Sequence, residues 1–271
     1  MTTSTLPTFY ISHGGGPWPW VEGKMRDTHR NLETALQQLP QLVGVTPKAV
    51  LMISAHWEEA DFAVMSNPNP PMLYDYNNFP ANTYQVQYPA PGAPQLAEHV
   101  QGLLKTAGFA ARLDPVRGFD HGTFVPMFVV YPNANVPIVQ LSLKRGLDPQ
   151  AHLAAGRALV TLRNEGVLIV GSGSSYHNLR MMGPEAKEPS ATFDEWLDHT
   201  LEGTNFEERT TALTSWDAAP SARVAHPREE HLLPLMVAVG AAEHDVATRF
   251  YHENTFFGSG SVSSFMFSKG S

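Results

Sequence analysis

Half of the 12 histidines in this chain fall in loop-like motifs and not in helical runs. They are His13 in His13-Gly14-Gly15-Gly16-Pro17, His56 in Ser54-Ala55-His56-Trp57, His121 in Gly118-Phe119-Asp120-His121-Gly122, His177 in Ser175-Tyr176-His177-Asn178, and His226 and His231 in His226-Pro227-Arg228-Glu229-Glu230-His231. Neutral imidazole binds zinc, iron, copper or nickel. It is also the side chain whose ordinary titration lies nearest neutrality, which suits proton transfer. Three imidazole ligands would leave coordination positions open for a substrate, the arrangement of a catalytic metal site. A single histidine at a strand end is more often hydrogen-bonded than metal-bound, so the weight rests on the clustering. His29, His99, His152, His199, His244 and His252 lie in helical or terminal segments and read as ordinary structural residues.

The elements that must deliver these motifs follow from hydrophobic patterning. Residues 8–12 (TFYIS) read as a buried strand stopped by the glycine triplet after His13. Residues 49–54 (AVLMIS) read as a second strand running into His56, and residues 167–171 as a third, followed by the glycine–serine loop that carries His177. Residues 136–143, 246–252 and 262–267 complete the strand candidates. Apolar residues at helical spacing mark helices around Leu32 to Leu39, Leu96 to Leu104 and Leu153 to Leu162, with two or three more after residue 190, the last over about 229–240. Alternating strands and helices predict one α/β domain over 1–271, a central mixed sheet flanked by helices. Ligands in such sheets bind beyond the carboxyl ends of strands, so three histidines delivered there can converge. The irregular Pro/Asn/Tyr-rich stretch 67–94 is long enough to form a lid or pocket wall. Trp18, Trp20, Trp57, Tyr74 and Tyr76 are candidates for an aromatic lining, or for plain packing.

Composition removes several classes. With no cysteine, disulfides, iron–sulfur clusters and thiolate sites are excluded. A formal charge of −8 without a Lys/Arg cluster argues against nucleic acid. No apolar run approaches the roughly 18 residues of a membrane span, and residues 1–7 lack the pattern of a secretory signal, so a cytoplasmic protein is expected. Gly171-Ser172-Gly173-Ser174 lacks the lysine of a phosphate loop, and there is no Gly-x-Ser-x-Gly nucleophile elbow.

Taken together and in order, the five histidine motifs, with the segment Leu73-Tyr74-Asp75-Tyr76-Asn77-Asn78-Phe79-Pro80, resemble the class III extradiol ring-cleaving dioxygenases, and within them the 4,5-DOPA dioxygenase branch. The resemblance spans residues 8–267 and is specific as a set, although each motif alone is weak. It implies a non-haem Fe(II) site, with zinc in its place in some members. It implies His13 and His56 as metal ligands, with His231 as the third and Glu230 as the alternative, since other branches use a carboxylate there. It implies His177 as acid/base and His121 as a second pocket histidine. His226 and Tyr74 are expected to bind substrate, His226 otherwise orienting a ligand. The implied reaction inserts both atoms of O2 into a catechol, DOPA-like or related, and opens its ring to a semialdehyde; a homo-oligomer is compatible with this. Two rivals keep the same ligands: a zinc hydrolase that activates water, and a metal-binding homologue without catalysis.

Overall fold

The computed structural model describes residues 5–270; the first four residues, part of the stretch read above for a leader, lie outside the described residues. Eight strands form one sheet: β1 (Thr8–Ser12), β2 (Ala49–Glu59), β3 (Phe62–Met65), β4 (Ala111–Asp114), β5 (Ile138–Lys144), β6 (Val167–Gly173), β7 (Val246–Phe256) and β8 (Gly260–Ser268). Their order is β4-β3-β5-β2-β6-β1-β8-β7. The central strands β5, β2, β6 and β1 are mutually parallel, whereas β3 on β5 and β8 on β1 are antiparallel. The sheet is therefore mixed, as expected. The central strands are apolar on both faces because helices cover both.

The helices are α1 (Lys24–Thr28), α2 (Arg30–Val43), α3 (Pro94–Thr106), α4 (His121–Val130), α5 (Pro149–Ala158), α6 (Lys187–Glu202), α7 (Phe206–Thr214), α8 (Ala222–Ala225) and α9 (Leu233–Gly240). In α2, Leu32, Ala35, Leu36, Leu39 and Val43 form one buried stripe, the signature of a helix that covers a core. Every residue of α9 is buried, where the helix packs against β6, β1, β2 and α5. A helix apolar all round has no face to give to water, so α9 anchors the segment before it, which carries His231.

Three features differ from the sequence expectation. The strand of residues 49–54 continues through a register shift to Glu59, so His56 sits inside β2 and not beyond it. The Gly118–Gly122 motif, expected to be a turn-like loop, opens helix α4, with Asp120 as its N-cap and His121 as its first residue. β3 and β4 were not anticipated at all. Among the described residues, no helix is long and apolar enough to cross a membrane.

Candidate active site

The three parallel neighbours β2, β6 and β1 deliver their carboxyl ends side by side. His13 follows the last residue of β1, His56 lies in the bulged end of β2, and the chain leaving β6 carries His177. Two close approaches fix the rest. The loop after His13 turns at Gly14 with φ +79°, where a Cβ would meet the Trp18 indole at 2.5 Å. A Cβ on Gly173 would lie 2.0 Å from the His231 carbonyl oxygen, so only glycine lets β6 take this segment. That same oxygen accepts from the Tyr10 hydroxyl at 2.8 Å and the Ser174 N–H at 3.1 Å, which pins the His231 backbone to β1 and β6.

The side chains converge. His13 Nε2 is 3.1 Å from His56 Nε2, and His231 Nε2 is 3.3 Å from the same atom. The other ring nitrogens are each spoken for. Ser172 gives its hydroxyl proton to the Gly122 carbonyl, so its oxygen can only accept from His13 Nδ1–H at 3.1 Å. His231 Nδ1 faces Glu230 Oε1 at 2.9 Å, and His56 Nδ1 faces Asp75 Oδ2 at 3.5 Å. Each ring thus commits Nδ1–H to an acceptor and leaves Nε2 bare, and the bare nitrogens of His13 and His231 both crowd that of His56. Burial, then the neighbouring imidazoles, hold His13 and His231 well below the usual histidine range; burial and His121 bring His56 to about 3. Protons therefore do not relieve the crowding, and a shared cation would.

Two more histidines flank this cluster. His121 Nδ1 donates to Asp75 Oδ1 at 2.8 Å, and its backbone N–H donates to the same oxygen at 3.0 Å. His177 Nδ1 lies 3.2 Å from Glu230 Oε1, with its ring stacked on that of His231 at 3.3 Å. Each carboxylate so bridges one histidine of the cluster to one beside it. His13, His56 and His121, and separately His177, Glu230 and His231, have donor atoms close enough to hold an ion. Burial works against ionisation of Asp75, but its bonds to His121 and the nearby His56 outweigh it and bring the carboxyl to about 2. Burial likewise opposes ionisation of Glu230, but the His177 bond, its own backbone N–H and the charge of Arg228 together outweigh it and hold the carboxyl below the ordinary range.

A cavity of about 460 Å3 opens over these groups, lined by His13, His56, His121, His177 and His231. Two residues expected to bind substrate are not part of it. His226 is fully buried; its Nε2–H donates to the Ser175 carbonyl at 2.9 Å, and its ring packs on Phe193 and Trp216. It secures the loop that carries His177, which is closer to the orienting role also considered for it. Tyr74 spends its hydroxyl on the Val86 carbonyl at 2.7 Å and packs against Tyr84 and Phe124; Tyr76 and Phe79 line the cavity instead. Trp18 and Trp57 are core residues. Sequence reasoning missed the bridging position of Asp75, whose signal was a lone carboxylate in the Tyr/Asn-rich segment. It also missed Asp120, which binds Ser54 Oγ at 2.7 Å and Arg117 at 2.8 Å and so ties the start of α4 to β2. His29, set aside as structural, accepts from Gly15 N–H at 3.0 Å and holds the glycine loop.

Known proteins match the chain over almost its whole length. The family model for the catalytic LigB subunit of aromatic ring-opening dioxygenase covers residues 3–266. The chain belongs to this LigB family. It is an extradiol ring-cleavage dioxygenase, which takes a small aromatic molecule and O2 as reactants, and its family implies a catalytic metal. A 4,5-DOPA dioxygenase extradiol of Beta vulgaris is 38% identical over 264 residues, covering 96% of each chain. The 4,5-DOPA dioxygenase extradiol of Escherichia coli is 32% identical, covering 89% of this chain and 87% of its own length. The crystal structure of an uncharacterized protein from Escherichia coli K12 superimposes with a TM-score of 0.76 at 29% identity, covering 96% of this LigB-family chain and 99% of that one.

Proposed function

We propose that this LigB-family enzyme opens the ring of a substituted catechol, DOPA-like or related, with Fe(II) held by the Nε2 atoms of His13, His56 and His231. The observation that carries this reading is that the Nε2 atoms of His13 and His231 both lie beside that of His56, at 3.1 and 3.3 Å. Their Nδ1 atoms are fixed by Ser172, Asp75 and Glu230, the outer hydrogen bonds that orient metal-binding histidines. Glu230 is the weaker candidate for the third position, because its Oε1 is shared between two imidazoles and its Oε2 faces Arg228. Three protein donors suit a catalytic ion with open positions. When bound, the ion supplies Lewis acidity, which lowers the cost of ionising a catechol hydroxyl, and electron transfer toward O2.

The chain's own groups then handle protons and position. His177 donates its Nδ1–H to Glu230, so Nε2 is the atom that takes a hydroxyl proton from the catechol and later returns it to an oxygen of the product as the ring opens. His121, held by Asp75 in the same sense, presents its Nε2 as a second acceptor beside the cluster. The cavity holds the ring against this floor, which makes encounter with O2 an event within one site.

Anaerobic loading of metal-free protein with Fe(II), followed by oxygen uptake with a panel of catechols, tests the reading. Oxygen consumption matched by a yellow semialdehyde is expected. Turnover with Zn(II) alone, indifferent to oxygen, would establish the hydrolase instead.

A further inference from the structure

The floor and the walls of the cavity have opposite chemistry. The floor is imidazole and carboxylate. Above it the lining includes Met25, Phe79, Leu179, Met182, Phe256 and Phe257. Three hydroxyls of the lining are already engaged: Tyr76 donates to the Thr83 carbonyl at 2.6 Å, Tyr176 to the Met181 carbonyl at 2.7 Å, and Ser174 to the Tyr176 carbonyl at 2.7 Å; the fourth, Ser12 Oγ, is unpartnered but buried at the floor next to His13. Among the described residues, the lining contains neither lysine nor arginine, and its single carboxylate, Asp75, is an anion. The guanidinium groups nearest in sequence to the site residues, Arg180 and Arg228, line with Glu230 a second groove that adjoins the cavity at His177 and Leu179. Arg228 is held there by both oxygens of Glu58, at 2.5 and 2.6 Å.

Resting on the catechol reading above, we propose that the enzyme selects catechols whose ring substituent is uncharged and apolar, and disfavours those bearing a side-chain carboxylate. The cavity volume, about 460 Å3, lies in the range of small-molecule sites and exceeds what an unsubstituted catechol needs, so the substituent must lie against these walls. An alkyl or aryl group there is removed from water onto apolar surface, which is favourable in proportion to its area. A carboxylate in the same place loses its hydration and finds no cation, while Asp75 adds repulsion. An amino-acid catechol carries that carboxylate, and its ammonium meets an Asp75 whose oxygens are already committed to His121 and His56.

The test compares 4-propylcatechol, 3-(3,4-dihydroxyphenyl)propionate and DOPA on the Fe(II)-loaded enzyme, by kcat/KM in air and by calorimetric binding without oxygen. The propyl compound is expected to exceed both acids at least tenfold in each measurement; a smaller margin overturns the proposal. If none of the three is cleaved, the catechol reading itself falls, whereas cleavage with the wrong ranking removes only this inference. Leu179 is 71% exposed, so Leu179→Arg places a cation at the cavity without burying it. It should raise the kcat/KM ratio of the propionate to the propyl compound at least tenfold, and an unchanged ratio overturns the role of the walls. A propionate preference that Arg180→Ala abolishes would likewise overturn the proposal and assign the carboxylate to the neighbouring groove.

Discussion

The two flanks of the histidine cluster meet one requirement with different anchoring. On one flank Asp75 bridges His56 and His121; on the other Glu230 bridges His231 and His177. Asp75 comes from an irregular loop, and its partners are imidazoles and the His121 backbone N–H, with no lysine or arginine paired to it among the described residues. Glu230 has a cation outside the site: Arg228, at 3.3 Å, which Glu58 of β2 holds in turn. The negative charge of Asp75 is therefore balanced by whatever the cluster binds, whereas that of Glu230 is partly balanced already. The same geometric device thus carries more electrostatic weight on the Asp75 flank.

The largest effects test whether the three imidazoles act as one set across both flanks. His13→Ala, His56→Ala and His231→Ala are each expected to abolish metal retention, measured by elemental analysis after dialysis, while circular dichroism stays unchanged. Glu230→Ala should lose less metal than His231→Ala. Full occupancy in His13→Ala or His56→Ala, or an empty site in Glu230→Ala alone, would break the assignment.

His177→Ala comes next. It should keep the metal and still bind catechol, while turnover falls by about 10²–10⁴-fold, the usual contribution of general acid–base catalysis. His121→Ala tests the opposite flank, and a larger loss there than in His177→Ala would exchange the two roles. Loss of metal in His177→Ala would make it a ligand.

Smaller effects measure the bridges themselves. Outer-sphere partners of metal-binding histidines typically contribute about 10–100-fold in affinity or activity. Asp75→Asn keeps the shape, removes the charge and should weaken metal affinity by a factor in that range. Glu230→Gln should cost less, because Arg228 then loses one of two acidic partners and still has Glu58. Equal losses in a competition titration with a chelator would show that the outside cation does not distinguish the flanks.

How far each flank was legible in the sequence follows from local patterning. His13, His56 and His177 could be placed because short apolar runs end near them and glycines mark the turns. The start of α4 at His121 could not, because HGTFVPMFVV is apolar all round, and a fully buried helix shows no periodicity. Strands β3 and β4 have four residues each, too few for alternation to register. In the irregular segment that carries Asp75, no period tells which ring faces inward: Tyr74 and Tyr76 are both candidates for the lining on sequence, and it is Tyr76 that lines the cavity. His226 and His231 share a motif, yet one is sealed behind the His177 loop and the other is part of the cluster. Only the packing of Phe193 and Trp216 around His226 separates them.

Two buried neutral histidines hold loops around the cluster, and the smallest prediction concerns this pair. His29 accepts from Gly15 N–H and has its pKa lowered to about 4, mainly by burial. His226 donates to Ser175, has a buried Nδ1 without a partner, and is lowered to about 3, again mainly by burial. In the unfolded chain both titrate near about 6.5. Between that value and the folded one, the unfolded state binds more protons, so stability falls as pH drops. Going from pH 7.5 to 5.5, each group should remove about 1.4 kcal/mol from the unfolding free energy of the metal-free protein. Protonation would cost His29 its acceptor and would place a charge at the sealed Nδ1 of His226. Urea midpoints across pH for His29→Gln and His226→Gln, each compared with the parent, read out the two contributions separately, because the titration of the cluster histidines is common to all three proteins. Each variant should flatten the acid limb by its own share, His29→Gln down to about pH 4 and His226→Gln further, to about pH 3. A limb as steep in His226→Gln as in the parent would mean that water reaches this histidine, and that the His177 loop is less firmly sealed than the loop after His13.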